Sequence, residues 1–413
     1  MIDAAARAEQ HAGRQTLGIA VSGSTAERLG TDSPALAGQT LTLDALVARA
    51  NTGTVAVDRD TTLFLDEAGM VDHARLDALT DLVERTGAKL IAVGDGKQLP
   101  SIGPGGMFDR LATHMPTAEL ADIRRTQDPE ERRAWAALRA GDPERAMAHY
   151  FNRAQLHFAD TRDEAGEGAA QRWMTLAEQH GISRVALIAD ASNKEIDRLN
   201  ARAQHLRAER GELGQREVPL ADAHYGLREG DVVAFTTQHR ARDQPRVENG
   251  TRGQVTRITE HGALTVALDG SGRTVRLAGE DIDTLRLGYA QHVYRQQGAT
   301  VDRAVAVTGG WQTSKETAYV EASRARHGTD WFLAREDLGI EGQDADRVMQ
   351  LAHRMRTSRA QKPSLAYEPY DPAFGPGYDL GPLRLPRTPA AILIRRSQNH
   401  DRPAADRGAD RGR

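Results

Sequence analysis

Apolar residues in this chain cluster in short blocks that alternate with segments of helical period. Thr16-Leu17-Gly18-Ile19-Ala20-Val21, Leu63-Phe64-Leu65, Lys89-Leu90-Ile91-Ala92-Val93, Val185-Ala186-Leu187-Ile188-Ala189 and Val301 to Thr308 read as strands buried on both faces. Between them, Ile2 to His11 is rich in helix formers and is ended by Gly13. Val71 to Thr86 carries Leu76, Leu79, Leu82 and Val83 at helical intervals, and Thr42 or a neighbour caps a short helix before it. Pro129 to Phe151, with Trp135, Leu138 and Met147 as a stripe, and Glu164 to Gln179 are further helices, whereas Met107 to Glu119 reads as a helix and a loop. This alternation predicts an α/β protein with parallel sheets.

Two regions break the pattern. From Gly230 to Leu285 four short strands are separated by turns at Asn249-Gly250 and Asp269-Gly270, which predicts a small β-barrel inserted in a second α/β domain. Past Gln343 the periodicity fades. Gln361 to Arg413 is rich in Pro, Gly, Arg and Asp, with only Ala391-Ile392-Leu393-Ile394 apolar, and is expected to be a disordered tail. The expected units are residues 1–120, a connecting helical segment 121–155, a second domain 156–229 and 286–342, the insertion 230–285, and a mostly disordered tail 343–413.

Composition narrows the function classes. The 413 residues are 39% hydrophobic and 27% charged, ordinary for a globular protein with room for two or three domains. Cysteine is absent, which excludes disulfides and thiolate metal sites, and the 14 histidines show no metal-ligand spacing. The net charge of −4 gives no global basic footprint, so nucleic-acid binding must come from local patches; Arg240, Arg242, Arg246, Arg252 and Arg257 in the insertion suit either phosphate contact or a merely solvated barrel face. No apolar run approaches a membrane span and no signal peptide opens the chain, so a cytoplasmic protein is expected.

Chemistry concentrates around Leu63-Phe64-Leu65-Asp66-Glu67-Ala68-Gly69-Met70. A buried strand that runs into two adjacent acids suits a Walker-B site, with Asp66 holding Mg²⁺ and Glu67 orienting or deprotonating a water. A solvated turn explains Asp-Glu alone. It does not explain the string that follows one strand–helix unit later, Gly94-Asp95-Gly96-Lys97-Gln98-Leu99-Pro100-Ser101-Ile102-Gly103. Gln98 can donate to a phosphate oxygen and accept from a water, and the glycines allow close backbone approach.

That string resembles the Gly-Asp-x-x-Gln-Leu-Pro-Ser-x-Gly motif of superfamily-one helicases. The resemblance implies that Gln98 senses a γ-phosphate, that Asp95 belongs to the nucleotide side, and that Pro100 and Ser101 lie beside single-stranded DNA. It extends along the chain. Ser22-Gly23-Ser24 matches a DNA-contacting turn, and Arg125 best fits an arginine that reaches the γ-phosphate. Ser192-Asn193 follows a strand of the second domain and faces DNA in the family, although an ordinary helix cap explains Ser192 equally well. Val247-Glu248-Asn249-Gly250 resembles part of the SH3-like insertion of RecD-type helicases, which puts Asn249 on the DNA side. Gln297, Gly298 and Thr300 match a motif that links nucleotide state to DNA grip, although Gln296 replaces its serine. Tyr319-Val320-Glu321-Ala322-Ser323-Arg324-Ala325 matches Tyr-x-x-x-Ser-Arg-Ala, whose arginine is a second phosphate finger, here Arg324.

The whole series is closest to the RecD-like helicase portion of TraA/TrwC-type conjugative relaxases. It implies two RecA-like domains, ATP and Mg²⁺ as cofactors, and five-prime to three-prime movement on single-stranded DNA, with other conjugation proteins as further partners. One part is absent from the sequence. Gly-x-x-x-x-Gly-Lys-Ser/Thr does not occur in it, and with it go the backbone cradle and lysine that hold phosphates. The expectation is a truncated product or a misplaced start, with ATPase activity near background. The competing expectation is a non-hydrolysing protein that binds single-stranded DNA or a transfer partner.

Overall fold

The structure, a computed structural model, describes residues 1–101, 103–120, 123–221, 223–240, 244, 246–339 and 341–360, together with the backbone of 391–396. The chain begins with α1 (Ile2–His11), β1 (Gln15–Ala20), α2 (Gly23–Asp32), β2 (Thr40–Thr42), α3 (Leu43–Asn51) and β3 (Thr61–Leu65). It continues through α4 (His73–Thr86), β4 (Lys89–Gly94), α5 (Met107–His114) and β5 (Thr117–Leu120). β1 pairs with β2 and β3, and β3 with β4, all parallel. Strands buried on both faces need apolar cover from two sides. Phe64, Ile91 and Val93 meet Ile2, Ala6, Leu29 and Leu36, while Leu63, Leu65, Leu90 and Ala92 meet Leu43, Leu46, Leu79, Leu82 and Phe108. Side-chain caps from Ser22, Thr42 and Asp72 start α2, α3 and α4, and Gly87 at φ 72° ends α4. β5 lies where the pattern predicted only a helix and a loop.

Pro129 to Phe151 is two helices rather than one, α6 (Pro129–Ala140) and α7 (Pro143–Asn152). Gly141 at φ 87° ends the first, and Asp142 caps the second ahead of its N-terminal proline. β6 (Leu156–Ala159), α8 (Arg162–His180), β7 (Val185–Ala189) and α9 (Asn193–Glu209) follow. A ribbon of β8 (Glu217–Pro219) and β9 (Gly226–Arg228) leads into β10 (Val232–Phe235), β11 (Arg252–Ile258), β12 (Leu264–Leu268), β13 (Thr274–Leu277) and β14 (Leu285–Leu287). These last five form an antiparallel sheet in the order β13-β12-β11-β10-β14. The chain then returns through β15 (Ala290–His292), β16 (Arg303–Thr308), α10 (Lys315–Ser323), β17 (Thr329–Ala334), α11 (Arg335–Leu338) and α12 (Asp344–Arg356). The second parallel sheet has the order β15-β7-β16-β17-β6. The antiparallel sheet shares a continuous core with it, in which Val233, Phe235, Val266 and Leu285 join Leu187, Leu199 and Val305.

Two departures concern the expected tail. Asp344–Arg356 is a helix, α12, whose Val348, Leu351 and Met355 are buried in the core around Trp135, Tyr150 and Trp331. Ala391–Arg396 is a strand, β18, in the first sheet, whose full order is β2-β1-β3-β4-β18-β5. The remainder of the expected tail, 361–390 and 397–413, lies outside the described residues. No helix among the described residues is long and apolar enough to cross a membrane.

Candidate functional site

β3 delivers Asp66 and Glu67 to the carboxyl edge of the first sheet, where ligands of open parallel sheets bind. The Asp66 N–H donates to the Ile19 carbonyl (2.9 Å), which fixes the turn to β1. Glu67 is buried and left-handed, at φ 52° and ψ 41°. A non-glycine residue in that region stores strain, of a kind that clusters at functional sites. The turn after β4 presses on it. A Cβ at Gly94 would lie 2.9 Å from the Gly69 nitrogen, and one at Gly69 3.1 Å from the Asp95 carbonyl oxygen, so both glycines serve close backbone approach.

In that second turn Asp95 is buried and accepts from the Lys97 backbone N–H (3.0 Å) and the Gln98 amide (3.4 Å). It also pairs with Arg139 of α6 at 2.5 Å. Burial works against the Arg139 charge, but Asp95 and Tyr319 offset it and the net shift is upward. Burial, with the Asp95 charge, pushes Tyr319 up to about 12. Leu99 leaves the first sheet altogether and is buried among Ala186, Ile188, Val293, Ala304, Val320 and Ala325 of the second. Ser101 is buried and its hydroxyl donates to the Gly103 carbonyl (2.8 Å), with Pro100 half-buried beside it.

The second half of the chain closes on the acids. The Gln297 amide donates to a Glu67 carboxylate oxygen at 3.1 Å. Arg28 of α2 donates to the Gln297 carbonyl (3.2 Å), and a Cβ at Gly298, φ 75°, would lie 2.1 Å from that guanidinium. Arg324 is 1% exposed and donates to the Val320 and Gln296 carbonyls and the Ser323 hydroxyl, at 3.1, 3.4 and 2.8 Å. Burial and the neighbouring Arg125 pull its guanidinium down to about 9, with Glu67 offsetting part of that shift. Arg125 donates to the Thr300 hydroxyl (3.0 Å) and to the Ser323 carbonyl. Buried charges are ordinarily matched. Here Arg28, Arg125 and Glu67 are charged neighbours of Arg324, and buried oxygens of Gln98 and Gln297 lack a hydrogen-bond partner among the described residues. Guanidinium groups are the donors that phosphate recognition uses, whereas the two amide oxygens can only accept a hydrogen bond.

The fit to a nucleoside triphosphate with Mg²⁺ is therefore partial. Gln98 and the arginines suit its terminal phosphate, and the acids suit a cation and a water beside it. The sequence offers no Gly-x-x-x-x-Gly-Lys-Ser/Thr to hold the inner phosphates. No group of three or more metal ligands exists among the described residues, so a cation there would depend on phosphate oxygens as well as on Asp66.

The residues expected at DNA divide into groups. Ser22, Gly23 and Ser24 adjoin the turn of the antiparallel sheet. A Cβ at Gly23 would strike Glu248, and one at Gly250 would lie 3.6 Å from the Ser24 hydroxyl and 3.4 Å from Arg295. Asn249 accepts from Arg295 at 3.4 Å. Ser192 and Asn193 start α9, where the Ser192 hydroxyl donates to Glu195 (2.7 Å) in a capping box. Of the five insertion arginines, Arg246 pairs with Glu248 at 2.7 Å and Arg252 is half-buried, while Arg240 and Arg257 are exposed; Arg242 lies outside the described residues. Sequence reasoning missed Arg28, Arg139 and the anchoring role of Leu99. A close-approach glycine at Gly298 was the only local signal for Arg28.

Residues 1–161 match the family model described as an AAA domain. The chain is 28% identical over 370 residues to the conjugal transfer protein TraA of Agrobacterium fabrum, covering 89% of this chain and 32% of that protein. It is 30% identical over 241 residues to the ATP-dependent RecD2 DNA helicase of Deinococcus radiodurans, covering 57% of this chain and 31% of that protein. The chain spans about a third of the length of the curated relatives it matches. Among solved structures, the Pif1 helicase of Candida albicans aligns with a TM-score of 0.49 at 18% identity, over 83% of this chain and 96% of that one.

Proposed function

We propose, from the premise that the chain is related to superfamily-one helicases and to the TraA conjugal transfer proteins, that it is the motor unit of a conjugative transfer machine. It engages single-stranded DNA and, once its phosphate site is complete, moves along it five-prime to three-prime with ATP and Mg²⁺. The observation that carries this reading is the convergence of Glu67, Gln297, Arg125 and Arg324, contributed by distant parts of the chain, at the carboxyl edge of the first sheet. A bound triphosphate would supply the anhydride that is hydrolysed. Around it, Asp66 would hold the cation and Glu67 would align a water. Gln98 contacts the terminal phosphate, and Arg125 and Arg324 offset its charge. Gln297 and Gly298 tie that end to Arg28 of α2, so the state of the site is felt at the Ser22–Ser24 turn. That turn, Asn249, Pro100, Ser101, Asn193, Ser192 and Thr300 are assigned to the DNA path, and the antiparallel sheet to an SH3-like module. We assign the units at the boundaries expected from the sequence, with α12 added to the second domain.

A second reading has its own support. The missing phosphate motif favours a chain that binds DNA or a transfer partner without turnover. The test is a paired measurement on the 413-residue protein: anisotropy of a labelled single-stranded oligonucleotide, and phosphate release with and without that DNA. Binding with turnover at background is expected. Turnover by the chain alone that vanishes in Glu67→Gln would show that no separate cradle is needed. Failure to bind single-stranded DNA in preference to a heparin control would sink both readings.

A further inference from the structure

The antiparallel sheet meets the first half of the chain along one face of α2. Gly23 and Glu27 lie four residues apart on that face. Glu248, in the connection between β10 and β11, packs so closely on the Gly23 backbone that a Cβ there would lie 2.4 Å from its Oε2. Arg273, between β12 and β13, donates to Glu27 one turn further along α2. Glu248 is itself held by Arg246 at 2.7 Å and by the Gln238 amide at 3.0 Å. Beside these contacts opens a cleft of about 620 Å³, lined by Gly23, Glu27, Glu248, Arg246 and Arg273 and by the exposed Arg49 of α3.

As struts these ion pairs are poor. The side chains of Arg273 and Glu27 are 39% and 40% exposed and that of Arg246 is 46% exposed. Exposed pairs contribute little to stability and are screened by salt. Their arrangement has another sense. A carboxylate offers a guanidinium the same pair of oxygens that a phosphate does. Here Arg246 and Arg273 are each occupied by one carboxylate, and one of those carboxylates sits on the Ser22–Ser24 turn. With a net charge of −4 the chain can bind a polyanion only through local groups, and this cleft keeps two of its three arginines neutralised.

We propose that Glu27 and Glu248 are built-in stand-ins for DNA phosphates. Arg246, Arg273 and Arg49 receive the sugar–phosphate backbone of a single strand in this cleft, and the two acids hold the first two arginines until a strand displaces them. This rests on the Ser22–Ser24 turn lying on the DNA path, as read above. The exchange swaps one oxyanion for another at the same guanidinium, so neither arginine is left unmatched at any stage. The displaced carboxylates, already partly exposed, pass to water.

The test is the anisotropy of a labelled oligo-dT with the full chain at low salt. Glu27→Gln combined with Glu248→Gln should tighten binding by about fivefold, the size expected when two exposed pairs no longer have to be broken, and the gain should fade in about 1 M salt. Glu84→Gln removes an exposed acid of α4 outside the cleft; it controls for net charge and should leave the affinity unchanged. Arg246→Ala should weaken binding more in the Glu248→Gln background than in the parent, because in the parent the phosphate contact is partly offset by the ion pair it replaces. Denaturant midpoints of all these variants should stay near that of the parent, which separates a change in affinity from a change in folding. Equal affinities for the parent and the double variant, or an equal gain from Glu84→Gln, would overturn the proposal and leave the DNA reading standing. Absence of oligonucleotide binding by both the parent and the double variant would overturn the two together.

Discussion

Glu321, in the middle of α10, predicts an inverted response to pH. Its side chain is 0% exposed, and neither carboxylate oxygen accepts a hydrogen bond. Asp190, also buried, accepts from the hydroxyls of Thr308 and Thr313 at 2.7 Å each. Burial raises the Glu321 carboxyl far above its ordinary value, and the Asp190 charge adds to that. The Thr308 hydroxyl gives slight relief, but its hydrogen bond goes to Asp190. Burial also raises Asp190, to about 7, with the hydroxyls it accepts from offsetting part of the shift, so of the two acids Glu321 keeps its proton to the higher pH. The unfolded chain loses it near 4.5 and the folded chain only well above that. Between those points the native state binds more protons, so stability is fully present below the unfolded value and falls as pH rises through the folded one. One proton held only by the native state gives a slope on the order of 1 kcal/mol per pH unit for as long as Glu321 stays protonated. Glu321→Gln keeps the shape and removes the titration. Denaturant melts followed by fluorescence of the buried Trp331, across that range, should show a flatter pH dependence in the variant and a more stable protein at about pH 8. Parallel curves for the two proteins, or a variant weaker at every pH, would refute the assignment of the proton.

Other expectations follow from single contacts. Arg139→Ala leaves Asp95 buried and unmatched and should cost about 3–5 kcal/mol, most of it recovered by adding Asp95→Asn, as read by denaturant midpoints. Gly298→Ala places a Cβ against Arg28 in a left-handed backbone; about 1–3 kcal/mol is expected, with faster hydrogen exchange at residues 297–300. Ser192→Ala should lower stability by about 1 kcal/mol through loss of the α9 cap. Because that hydroxyl is engaged by Glu195, DNA affinity measured by anisotropy should change less than with Ser24→Ala.

The parts that were legible in the sequence share a cause. β3, β4 and β7 are buried on both faces, so their apolar blocks could not be confused with loops, and the acids that end β3 stood out against that background. β5 was invisible because Thr117, Ala118, Glu119 and Leu120 are all exposed and give no apolar signal. α12 was overlooked because charged residues surround its stripe of Val348, Leu351 and Met355, although the spacing was there. Arg28 and Arg139 could not be singled out, since an arginine on a helix is ordinary until its distant partner is known. β18 could be seen as an apolar run, but its neighbours lie far away in sequence, and parallel pairing of that kind leaves no local trace.

Leu99 carries a mechanical consequence. It is rooted in the loop of Asp95 and Gln98 but seated in the core of the opposite sheet, so it acts as a latch between the two halves. Parting them exposes a leucine, at about 1.5–3 kcal/mol, which alone makes the open form rarer by about ten- to a hundredfold. Because Gln98 is the adjacent residue, the latch cannot release without disturbing the polar side chain that donates to Asp95. Separation of the two halves and the arrangement of the Asp95 turn are thereby geared to one short piece of backbone.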